Sequence, residues 1–533
     1  MPPFRFDRRD FLTTGIAGFA AMVLPQVTFA DSVTVTTAPG TPFSFDTVKD
    51  LARDLAKQPY KAPVLEDGHV LDQIDYDNHN QVQFNADRSL WLDDDKRSPV
   101  QFFFPGRYFR QPVQISRVEG GMAREVPFSL DLFSIPKGNP ANNLTHTKGF
   151  AGLRVLDAKS KRDWMAFLGG SYWRTEGYSG QFGLSTRGLA VDTAIPDGPE
   201  EFPNFTHFWL EPGADGDLTV YALMDSPRVT GAYQIKSHRD QGVRQEVSAM
   251  IFLREDIERL GISPLTSMYW FSKHDHFIAP DWRPEVHDSD GLEMLMANGE
   301  RIWRPLNNPP RVMANTFSAT GLKGFGLMQR ERDFRQYQDD GVFYERRASA
   351  WVEPIGDWGE GTVTLVELTT TDETNDNIVA MWQPAKPAKK GEEFEFAYRL
   401  SWLEDKPQPA TSARFKAIRI GAGGIPGQDR LPGVVKVVAD FDSRGLAGLG
   451  GKDSVTLNIG ASKGKISSPA VFPIVGQTDW RAIFDLDFNE LGADDDTPID
   501  IRGYVEHGGE AVTETLLLQL FPSQLRELLA AHP

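Results

Sequence analysis

The sequence predicts an all-β protein, a large β-sandwich followed by a smaller one. Short apolar or alternating runs recur along the chain and are broken by turn residues, among them 36 prolines and 48 glycines. Helical periodicity is rare, and the runs do not alternate with long helices as they would in βαβ units. Antiparallel sheets packed face to face therefore fit this pattern better than a parallel sheet covered by helices.

An export signal is predicted at the amino terminus. Arg8 and Arg9 precede an apolar stretch at residues 15–24, and Thr28 and Ala30 are small residues at minus three and minus one of a cleavage site. The apolar stretch has about ten residues, too few for a transmembrane helix, which needs roughly 20, and no other run approaches that length. Residues 1–30 are therefore expected to be a twin-arginine signal peptide.

Composition excludes several classes of function. The chain has no cysteine, so a disulfide framework, a thiolate zinc site and a cysteine nucleophile are ruled out. Its formal net charge of −18 makes nucleic acid and anionic lipid poor partners, whereas a neutral ligand such as a sugar is compatible with it.

Residues 31–405 are expected to form the large sandwich. An amphipathic helix is indicated by apolar residues at helical spacing: Phe45, Val48, Leu51 and Leu55. Asp46 is placed where it could cap this helix, and a shorter helix is expected at residues 255–260. Strands are expected at residues 100–104, 164–168, 219–224 and 246–253.

A polar, proline-bearing stretch at residues 406–413 predicts a linker to a second domain. The chain beyond it contains five clear strand patterns, at residues 434–441, 455–459, 480–488, 499–505 and 513–520. This density of short strands predicts an immunoglobulin-like sandwich over residues 414–533. A short helix at residues 523–531 ends it.

An acidic loop at residues 371–377 is the first candidate for chemistry. Patterns at residues 362–368 and 378–382 predict a strand on each side of it. Asp372, Glu373 and Asp376 repel one another and can raise the pKa of one carboxyl, as a general acid requires. The simpler interpretation is a turn held by side-chain hydrogen bonds to the backbone. The residues alone do not rank Asp376 above Asp372.

A second acidic loop at residues 283–292 offers a partner carboxylate. Asp288 and Asp290 compete for this role, and Arg283 or His287 could keep such a carboxylate ionised. Inverting hydrolysis of a glycoside needs one protonated carboxyl and one ionised carboxylate, commonly about 6.5 to 9.5 Å apart.

Aromatic residues make up 11% of the chain, and several tryptophans lie beside arginine or in turn-rich segments. Indole packs on the C–H faces of sugar rings, while arginine pairs with hydroxyl groups, so we expect a carbohydrate cleft. The expected substrate-binding residues are Trp173, Arg283, Trp303, Arg304, Trp351 and Trp382. Each tryptophan taken singly is more typical of a core.

Other catalytic signatures are weak or absent. His274 and His276 could share one face of a strand, but no third ligand is apparent nearby, so we expect no metal and no cofactor. The chain contains no G-x-S-x-G motif, no P-loop and no dinucleotide fingerprint. Carboxylate chemistry is what remains.

Four stretches in one order resemble the periplasmic glucan biosynthesis proteins, the OpgG/OpgD (MdoG/MdoD) family. They are QFGLSTRGLA at residues 181–190, LMDSPRVTGAY at 223–233, WRPLNN at 303–308 and DETNDNIVA at 372–380. The resemblance covers essentially the whole mature chain. The twin arginine resembles the D branch of the family, because the G branch usually carries an ordinary secretory signal.

The resemblance implies a fold and a substrate. It implies an N-terminal sandwich of the galactose-mutarotase type with a long cleft, joined to an immunoglobulin-like domain. Family members shape osmoregulated periplasmic glucans, whose backbones are β-1,2-linked glucose. D-type proteins are similar to inverting endo-β-1,2-glucanases, so hydrolysis of β-1,2-glucan in the periplasm is the expected activity.

The resemblance also implies residue roles. The general acid corresponds to Asp376 and the base to Asp288, with Tyr344, Arg347 and Glu373 at positions that line a relay of waters and side chains. The first two of these three lie in a loop at residues 336–347 that is expected to be mobile. The alternative is a glucan-binding scaffold without catalysis that guides the nascent polymer, with the inner-membrane glucosyltransferase as a possible partner.

Overall fold

The computed structural model describes residues 40–531 except 148, 197, 409, 425–426, 429, 447 and 451–453. The predicted signal peptide, residues 1–30, lies outside the described residues. Strands dominate this described part of the chain, so the all-β prediction is confirmed. None of its helices is both long and apolar enough to cross a membrane.

The strands are numbered in chain order. The first sixteen are β1 (Thr41–Pro42), β2 (Gln83–Phe84), β3 (Val100–Phe103), β4 (Gln114–Glu119), β5 (Met122–Glu125), β6 (Phe133–Ser134), β7 (Gly152–Leu156), β8 (Asp163–Leu168), β9 (Tyr172–Thr175), β10 (Ser185–Arg187), β11 (Leu189–Val191), β12 (Asn204–Pro212), β13 (Leu218–Asp225), β14 (Val229–Arg239), β15 (Val243–Leu253) and β16 (Leu260–Ser267). The others are β17 (Tyr269–Phe271), β18 (Val286–His287), β19 (Gly291–Leu295), β20 (Arg301–Pro305), β21 (Met313–Thr320), β22 (Gly324–Met328), β23 (Ser349–Ile355), β24 (Glu360–Glu367), β25 (Ile378–Pro384), β26 (Glu393–Leu403), β27 (Phe415–Ala422), β28 (Val434–Phe441), β29 (Val455–Ala461), β30 (Lys465–Pro473), β31 (Trp480–Asp487), β32 (Ile499–His507), β33 (Glu510–Ala511) and β34 (Thr515–Leu520).

The α-helices are short. They are α1 (Phe45–Ala56), α2 (Gly68–Leu71), α3 (Tyr76–Asn80), α4 (Phe334–Tyr337) and α5 (Pro522–Ala531). Single 3-10 turns lie at Ala86–Arg88, Leu130–Leu132, Pro140–Asn143, His276–Ile278 and Tyr344–Arg346. The predicted helices at the two ends of the described chain are therefore confirmed as α1 and α5. The cap of α1 is Ser44 rather than Asp46, because the Ser44 side chain accepts from the Thr47 N–H.

The helix expected at residues 255–260 is absent, and that prediction was wrong. The segment is a bend that leads into β16. Asp192 Oδ1 accepts the backbone N–H groups of Glu258 at 3.0 Å and Arg259 at 2.8 Å. A tertiary contact thus takes the N–H groups that a helix would use, and the helical spacing of the apolar residues is overridden.

The chain divides into two compact units. Unit 1 contains the described residues of 40–264 together with 382–402, and unit 2 contains those of 265–381 and 403–531. In unit 1 one sheet runs in the order β1-β5-β4-β12-β13-β14-β15-β26, with β4 and β12 parallel and the other neighbours antiparallel. A second sheet of unit 1 runs β3-β7-β8-β9-β10.

The two sheets of unit 1 pack face to face. Gln245 of β15 accepts hydrogen bonds from the indole N–H groups of Trp173 on β9 and Trp402 on β26, each at 3.0 Å. Phe167 of β8 lies edge to face against Phe208 of β12, with 5.3 Å between the ring centres. A buried amide that satisfies two indoles thus joins the layers of a β-sandwich.

In unit 2 one antiparallel run, β23-β22-β19-β20, continues through a parallel pair into β34-β32-β29. A four-stranded sheet, β27-β28-β31-β30, packs against the β34-β32-β29 part. The core between them includes Val435, Val437 and Phe484 from one sheet and Ile501 and Leu518 from the other. The predicted carboxy-terminal sandwich is therefore present.

Residues 406–413, predicted to be a linker, are partly buried. Lys406 is 5% exposed and its ammonium group ion-pairs with Glu293 of β19. Ala413 forms an isolated parallel bridge with Thr513. These contacts hold the described part of the segment against unit 2. The predicted domain limits, 31–405 and 414–533, stay a prediction.

Candidate active site

Asp288 lies directly after a short strand in the interior of unit 2. His287 of β18 pairs with Tyr269 of β17, and the Asp288 N–H donates to the Met268 carbonyl at 2.8 Å. These backbone contacts fix the main chain on both sides of the carboxylate. The Asp288 side chain is 0% exposed.

The acidic loop at residues 371–377 is closed by Asn377. The backbone of this residue accepts the Leu368 N–H at 2.8 Å, and its side-chain N–H donates to the Leu368 carbonyl at 2.9 Å. Its amide also pairs with the Tyr269 backbone, accepting from the N–H and donating to the carbonyl, each at 2.8 Å. Tyr269 pairs with His287, so one asparagine connects the loop that carries Asp376 to the strand that precedes Asp288.

The motif at residues 303–308 supports the start of the same loop. Arg304 ion-pairs with Glu367 at 2.9 Å, and the Asn307 N–H donates to Glu367 at 2.8 Å. The Asn308 side chain pairs with the Thr370 backbone, accepting at 3.0 Å and donating at 2.8 Å. Arg304, expected to bind substrate, is 2% exposed and anchors β24 instead.

Asp372 and Asp376 have different surroundings. Asp372 accepts the backbone N–H of Thr374 at 2.8 Å and also bonds its hydroxyl, as in a turn capped by an aspartate. Asp376 lies four residues after Asp372 and is exposed. The turn interpretation therefore holds for Asp372, and Asp376 is the carboxylate of the loop that faces solvent.

Arg347 lies within electrostatic reach of both candidate carboxylates. Its Nε is 3.4 Å from Asp288 Oδ1, and both side chains are 0% exposed. Burial lowers the pKa of Arg347 to about 10, and the charges that oppose this shift include the carboxylate of Asp376. Among the described residues, the Nη1 and Nη2 atoms of Arg347 have no hydrogen-bond partner. The cation beside Asp288 is thus Arg347, rather than Arg283 or His287 as expected.

Tyr344 and Glu373 continue this group of contacts. The Arg347 guanidinium lies 5.6 Å from the centre of the Tyr344 ring, and the Tyr344 hydroxyl donates to Glu373 Oε2 at 2.7 Å. Arg283 Nη1 donates to the same oxygen of Glu373 and to Asp339 Oδ2, each at 2.7 Å. The expected relay residues therefore form a series of contacts from Asp288 to Glu373 of the acidic loop.

Charge compensation around Arg283 is strong. Burial by itself would lower the pKa of Arg283. The carboxylates of Asp281, Glu373 and Asp339 outweigh burial and raise this pKa above its usual range. The charge of Glu373 is thus matched by a guanidinium, so mutual repulsion among the loop acids is weaker than the sequence suggests.

The loop at residues 336–347 begins with the last two residues of α4 and contains the 3-10 turn at Tyr344–Arg346. Gln338 and Phe343 have φ values of 58° and 52°, in the left-handed region that non-glycine residues rarely adopt. Phe343 precedes Tyr344 directly, so this backbone conformation sets the direction in which the Tyr344 side chain leaves the loop. The mobility of the loop stays a prediction.

A charged cluster is formed by residues that flank Asp288 in sequence. Glu285, His287 and Asp290 offer atoms within 4.8 Å of one another, a geometry that could hold a metal ion. Glu285 also ion-pairs with Lys273, and the Asp290 carboxylate accepts the Glu331 N–H at 2.9 Å. The three residues are therefore already engaged as an ion-pair network. Because the Asp290 carboxylate is engaged in these contacts, Asp288 is kept as the candidate base.

His274 and His276 have separate partners. His274 contacts the Ser272 hydroxyl at 3.0 Å and the Asn307 side chain at 3.2 Å. His276 contacts the Arg283 carbonyl at 3.2 Å. Their ring nitrogens serve local hydrogen bonds that support the segments around the candidate site.

Four tryptophans expected to bind substrate lie in the interior: Trp173, Trp303, Trp351 and Trp382, each 4% exposed or less. Trp303 is covered by Arg330, whose guanidinium lies 3.4 Å from the ring centre. Trp173 and Trp382 belong to unit 1, whereas both candidate acids belong to unit 2. In this structure none of these four rings offers a face to a sugar, so we leave them out of the candidate site.

A polar cavity of about 240 Å³ lies in unit 1 and contains none of the predicted site residues. Its lining includes Arg162, Glu176, Tyr178 and Arg239. Arg239 bridges Asp157 at 2.6 Å and Glu176, so the charges that face this cavity are largely paired within the protein.

Sequence reasoning missed the residues that position the acids. Asn377 and Asn308 make the contacts that close the acidic loop, yet asparagine in a loop usually indicates only a turn. Both lie inside the motifs that carried the family resemblance, at residues 372–380 and 303–308. Their position inside these motifs was the sequence feature that could have indicated their role.

Comparison with known proteins identifies the family. The family model described as "Periplasmic glucan biosynthesis protein, MdoG" matches residues 43–520. Glucans biosynthesis protein D 2 of Ralstonia nicotianae is 45% identical over 500 residues, which cover 91% of each chain. The probable glucans biosynthesis protein D of Shewanella oneidensis is 42% identical over 489 residues, 91% of this chain and 90% of that protein. The chain therefore belongs to the periplasmic glucan biosynthesis family, and the predicted resemblance is confirmed.

Two further proteins are similar to this chain. Glucans biosynthesis protein D of Stenotrophomonas maltophilia is 40% identical over 527 residues, covering 97% of this chain and 98% of that protein. A galactose mutarotase related enzyme from Lactobacillus acidophilus matches in structure with a TM-score of 0.20 and 10% identity, over 48% of this chain and 92% of that chain. A similarity at that score carries no argument about fold.

Proposed function

We propose that this protein shapes periplasmic glucans as an inverting glycoside hydrolase that cleaves β-1,2-glucan internally. The observation that carries the proposal is the position of Arg347, which contacts the buried Asp288 and is within electrostatic reach of the exposed Asp376. Two carboxylates with such different surroundings suit the two roles that inversion requires.

Asp376 is the proposed general acid. Its exposure at the surface of the acidic loop leaves its carboxyl accessible to the glycosidic oxygen of a bound chain. Asn377, the next residue, is buried and hydrogen-bonded to Tyr269 and Leu368. The carboxyl is therefore mobile only about its own side-chain bonds, which helps it reach one oxygen reproducibly.

Asp288 is the proposed base. Because its carboxylate is fully buried, it receives the proton through a relay of water and side chains. Tyr344 and Glu373 form a hydrogen-bonded pair, and the Tyr344 ring lies 5.6 Å from the Arg347 guanidinium. A water held near this group would pass its proton towards Asp288 as it attacks the sugar carbon. Arg347 places a positive charge 3.4 Å from this carboxylate, as suits a base.

The remaining features of the proposal follow the family resemblance. Residues 31–405 are the catalytic sandwich of the galactose-mutarotase type, 406–413 the linker and 414–533 the immunoglobulin-like domain. The substrate is β-1,2-glucan, and no metal or cofactor takes part in the hydrolysis.

The test is a product assay on the mature protein. Linear β-1,2-glucan, β-1,3-glucan and β-1,4-glucan are incubated separately, and released oligosaccharides and their anomeric form are followed by NMR. Initial release of α-anomers from the β-1,2 polymer alone is the expected result. Initial β-anomers would overturn inversion, and equal cleavage of the three polymers would overturn the substrate assignment.

The same assay separates hydrolysis from the scaffold alternative. Calorimetry on the same samples measures glucan binding independently of cleavage. Binding without any released oligosaccharide would favour a scaffold that guides the nascent chain, with the inner-membrane glucosyltransferase as its partner. It would also leave the acidic loop with a role in ligand contact or turn formation only.

Export by the twin-arginine pathway is proposed from Arg8 and Arg9, which lie outside the described residues. Replacing both with lysine should retain the precursor in the cytoplasm, because this pathway reads the arginine pair. Fractionation followed by immunoblotting measures the outcome. Undiminished protein in the periplasm would indicate another export route.

A further inference from the structure

Trp282 differs from the other tryptophans of the chain in its exposure. All 12 tryptophans lie within the described residues, and Trp282 is 74% exposed while nine are buried and two are half-buried. An indole in water leaves a large apolar surface uncovered, and covering it with an apolar face is favourable. A single exposed apolar residue needs no explanation by itself, so its position decides its meaning.

The backbone on both sides of Trp282 is fixed to the candidate site. Asp281 Oδ1 accepts the Arg283 N–H at 2.8 Å, which closes a tight turn around Trp282. The Arg283 side chain then donates to Asp281, to Asp339 and to Glu373, three residues before Asp376. The turn that presents the indole is thus tied by ion pairs to the acidic loop and to the loop at residues 336–347.

Rigid presentation matters for binding a flexible polymer. An indole has few rotatable bonds, so little conformational entropy is lost when a ligand covers it. The hydrogen-bonded turn from Asp281 to Arg283 limits the motion of the main chain beneath it. A sugar ring could therefore pack its C–H face on the indole without ordering a new segment.

We propose that Trp282 is a stacking platform for a glucose residue of the bound glucan, a few residues along the chain from the bond next to Asp376. This proposal deepens the proposed function and rests on it for the identity of the polymer. Trp282 is a positioning residue, since it holds the chain and takes no part in proton transfer. It replaces the buried tryptophans as the aromatic contribution to the site.

Acrylamide quenching of tryptophan fluorescence provides a direct test. Acrylamide is neutral, so the negative charge of the protein does not exclude it, and Trp282 is the indole that it reaches most easily. The Trp282→Phe variant should lose the most readily quenched component, which assigns that signal. Saturating linear β-1,2-glucan should protect the same component in the wild-type protein.

Affinity gives the second readout. Trp282→Ala should weaken glucan binding about tenfold by calorimetry, the upper end of an aromatic contact, and leave kcat within about twofold. The matched control is Phe472→Ala, an aromatic residue 38% exposed on β30 of the four-stranded sheet. This control should bind glucan as the wild-type protein does.

The outcomes distinguish the two proposals. If glucan is bound and cleaved while Trp282 stays fully quenchable, the platform is overturned and the hydrolase stands. If glucan protects Trp282 but no oligosaccharide is released, the platform stands and the hydrolase falls. Absence of any binding to β-1,2-glucan would overturn both.

Discussion

Asp376 and Asp288 lie in two acidic segments that look alike in sequence, yet the fold gives them opposite surroundings. Asp376 is exposed, whereas Asp372, four residues before it in the same loop, caps a turn. Asp288 is 0% exposed and directly follows β18, beside the cluster of Glu285, His287 and Asp290 in sequence. The Asp376 carboxylate is exposed to solvent, whereas the Asp288 carboxylate contacts the guanidinium of Arg347.

This difference shows that acid clusters in sequence do not determine what each acid does. In the loop at residues 371–377, Asp372 is satisfied by local hydrogen bonds and Glu373 by an ion pair with Arg283. In the segment before β19, Glu285 ion-pairs with Lys273, and Asp290 accepts backbone N–H groups. In each segment one aspartate is left for the candidate site, and contacts distant in sequence select it.

The largest expected effect is on stability, and it sharpens this comparison. Asp288→Asn should lower the free energy of unfolding by about 3 to 5 kcal/mol, because it leaves the buried Arg347 without its carboxylate. Asp376→Asn should change the same quantity by less than about 0.5 kcal/mol, since Asp376 is exposed. Urea unfolding followed by circular dichroism measures both.

A double variant provides the control for that experiment. Asp288→Asn combined with Arg347→Met removes both buried charges and should recover part of the lost stability. Equal stability losses for Asp288→Asn and Asp376→Asn would contradict the contrast between a buried and an exposed carboxylate.

The next effect is on activity within one loop. Asp376→Asn should lower hydrolysis of β-1,2-glucan at least about a hundredfold, or about 2.7 kcal/mol in activation free energy, while binding stays intact. Asp372→Asn is the matched control, because it neutralises a carboxylate of the same loop that caps the turn at Thr374. Initial rates and calorimetry check both variants. A greater loss for Asp372→Asn would exchange their roles, and a joint loss of binding and activity would make the assignment wrong.

A smaller effect is expected where the two acidic segments are joined. Asn377→Ala removes three buried hydrogen bonds to the backbones of Tyr269 and Leu368, and should cost about 1 to 3 kcal/mol of stability. It should also lower kcat more than it raises KM, because Asp376 loses its support. Asn375→Ala is the matched control: its side chain donates to the neighbouring Thr374 hydroxyl at 3.1 Å, and its loss should leave stability and kcat nearly unchanged. Equal effects of the two variants would remove the special role of Asn377.

Much of the fold could be predicted from sequence because strand patterns are local. The expected strand at residues 434–441 is β28, and the patterns around the acidic loop correspond to β24 and β25. The strand β30 was missed because it lies at a sheet edge, is mostly exposed and contains Pro469 and Pro473. Proline is tolerated at such an edge, so the usual strand signals are weak there.

The candidate site was only partly predictable, since its decisive contacts join distant residues. Arg347 meets Asp288 from 59 positions further along the chain, and nothing local marks this pairing. The tryptophans illustrate the same point. A Trp-Arg pair suggests a sugar site, but Trp303 is covered by Arg330 and lies in the core, whereas Trp282 is exposed. Which indole faces solvent is decided by packing, not by its neighbours in sequence.

The last and smallest effect concerns the pH dependence of the segment around Asp288. Burial lowers the pKa of His287, but the carboxylates of Asp290 and Glu285 outweigh burial and the opposing charge of Lys273, so the pKa is raised above its usual value. A raised pKa means that folding favours the protonated ring. This stabilisation is therefore fully present below about pH 6.5 and is lost as pH rises through the folded-state pKa.

His287→Gln removes that titration while keeping a polar side chain in contact range of Gln329, which lies 3.0 Å from the imidazole Nδ1. The stability difference between wild type and variant should be larger at about pH 6 than at about pH 9. Urea unfolding at the two pH values measures this stability difference. Asp376→Asn, which changes an exposed group, is the control. A gap that is constant or widens at high pH would mean that the imidazole is neutral in the folded protein. The charges of the acidic segment around Asp288 would then be balanced by Lys273, by Arg347 and by backbone N–H groups.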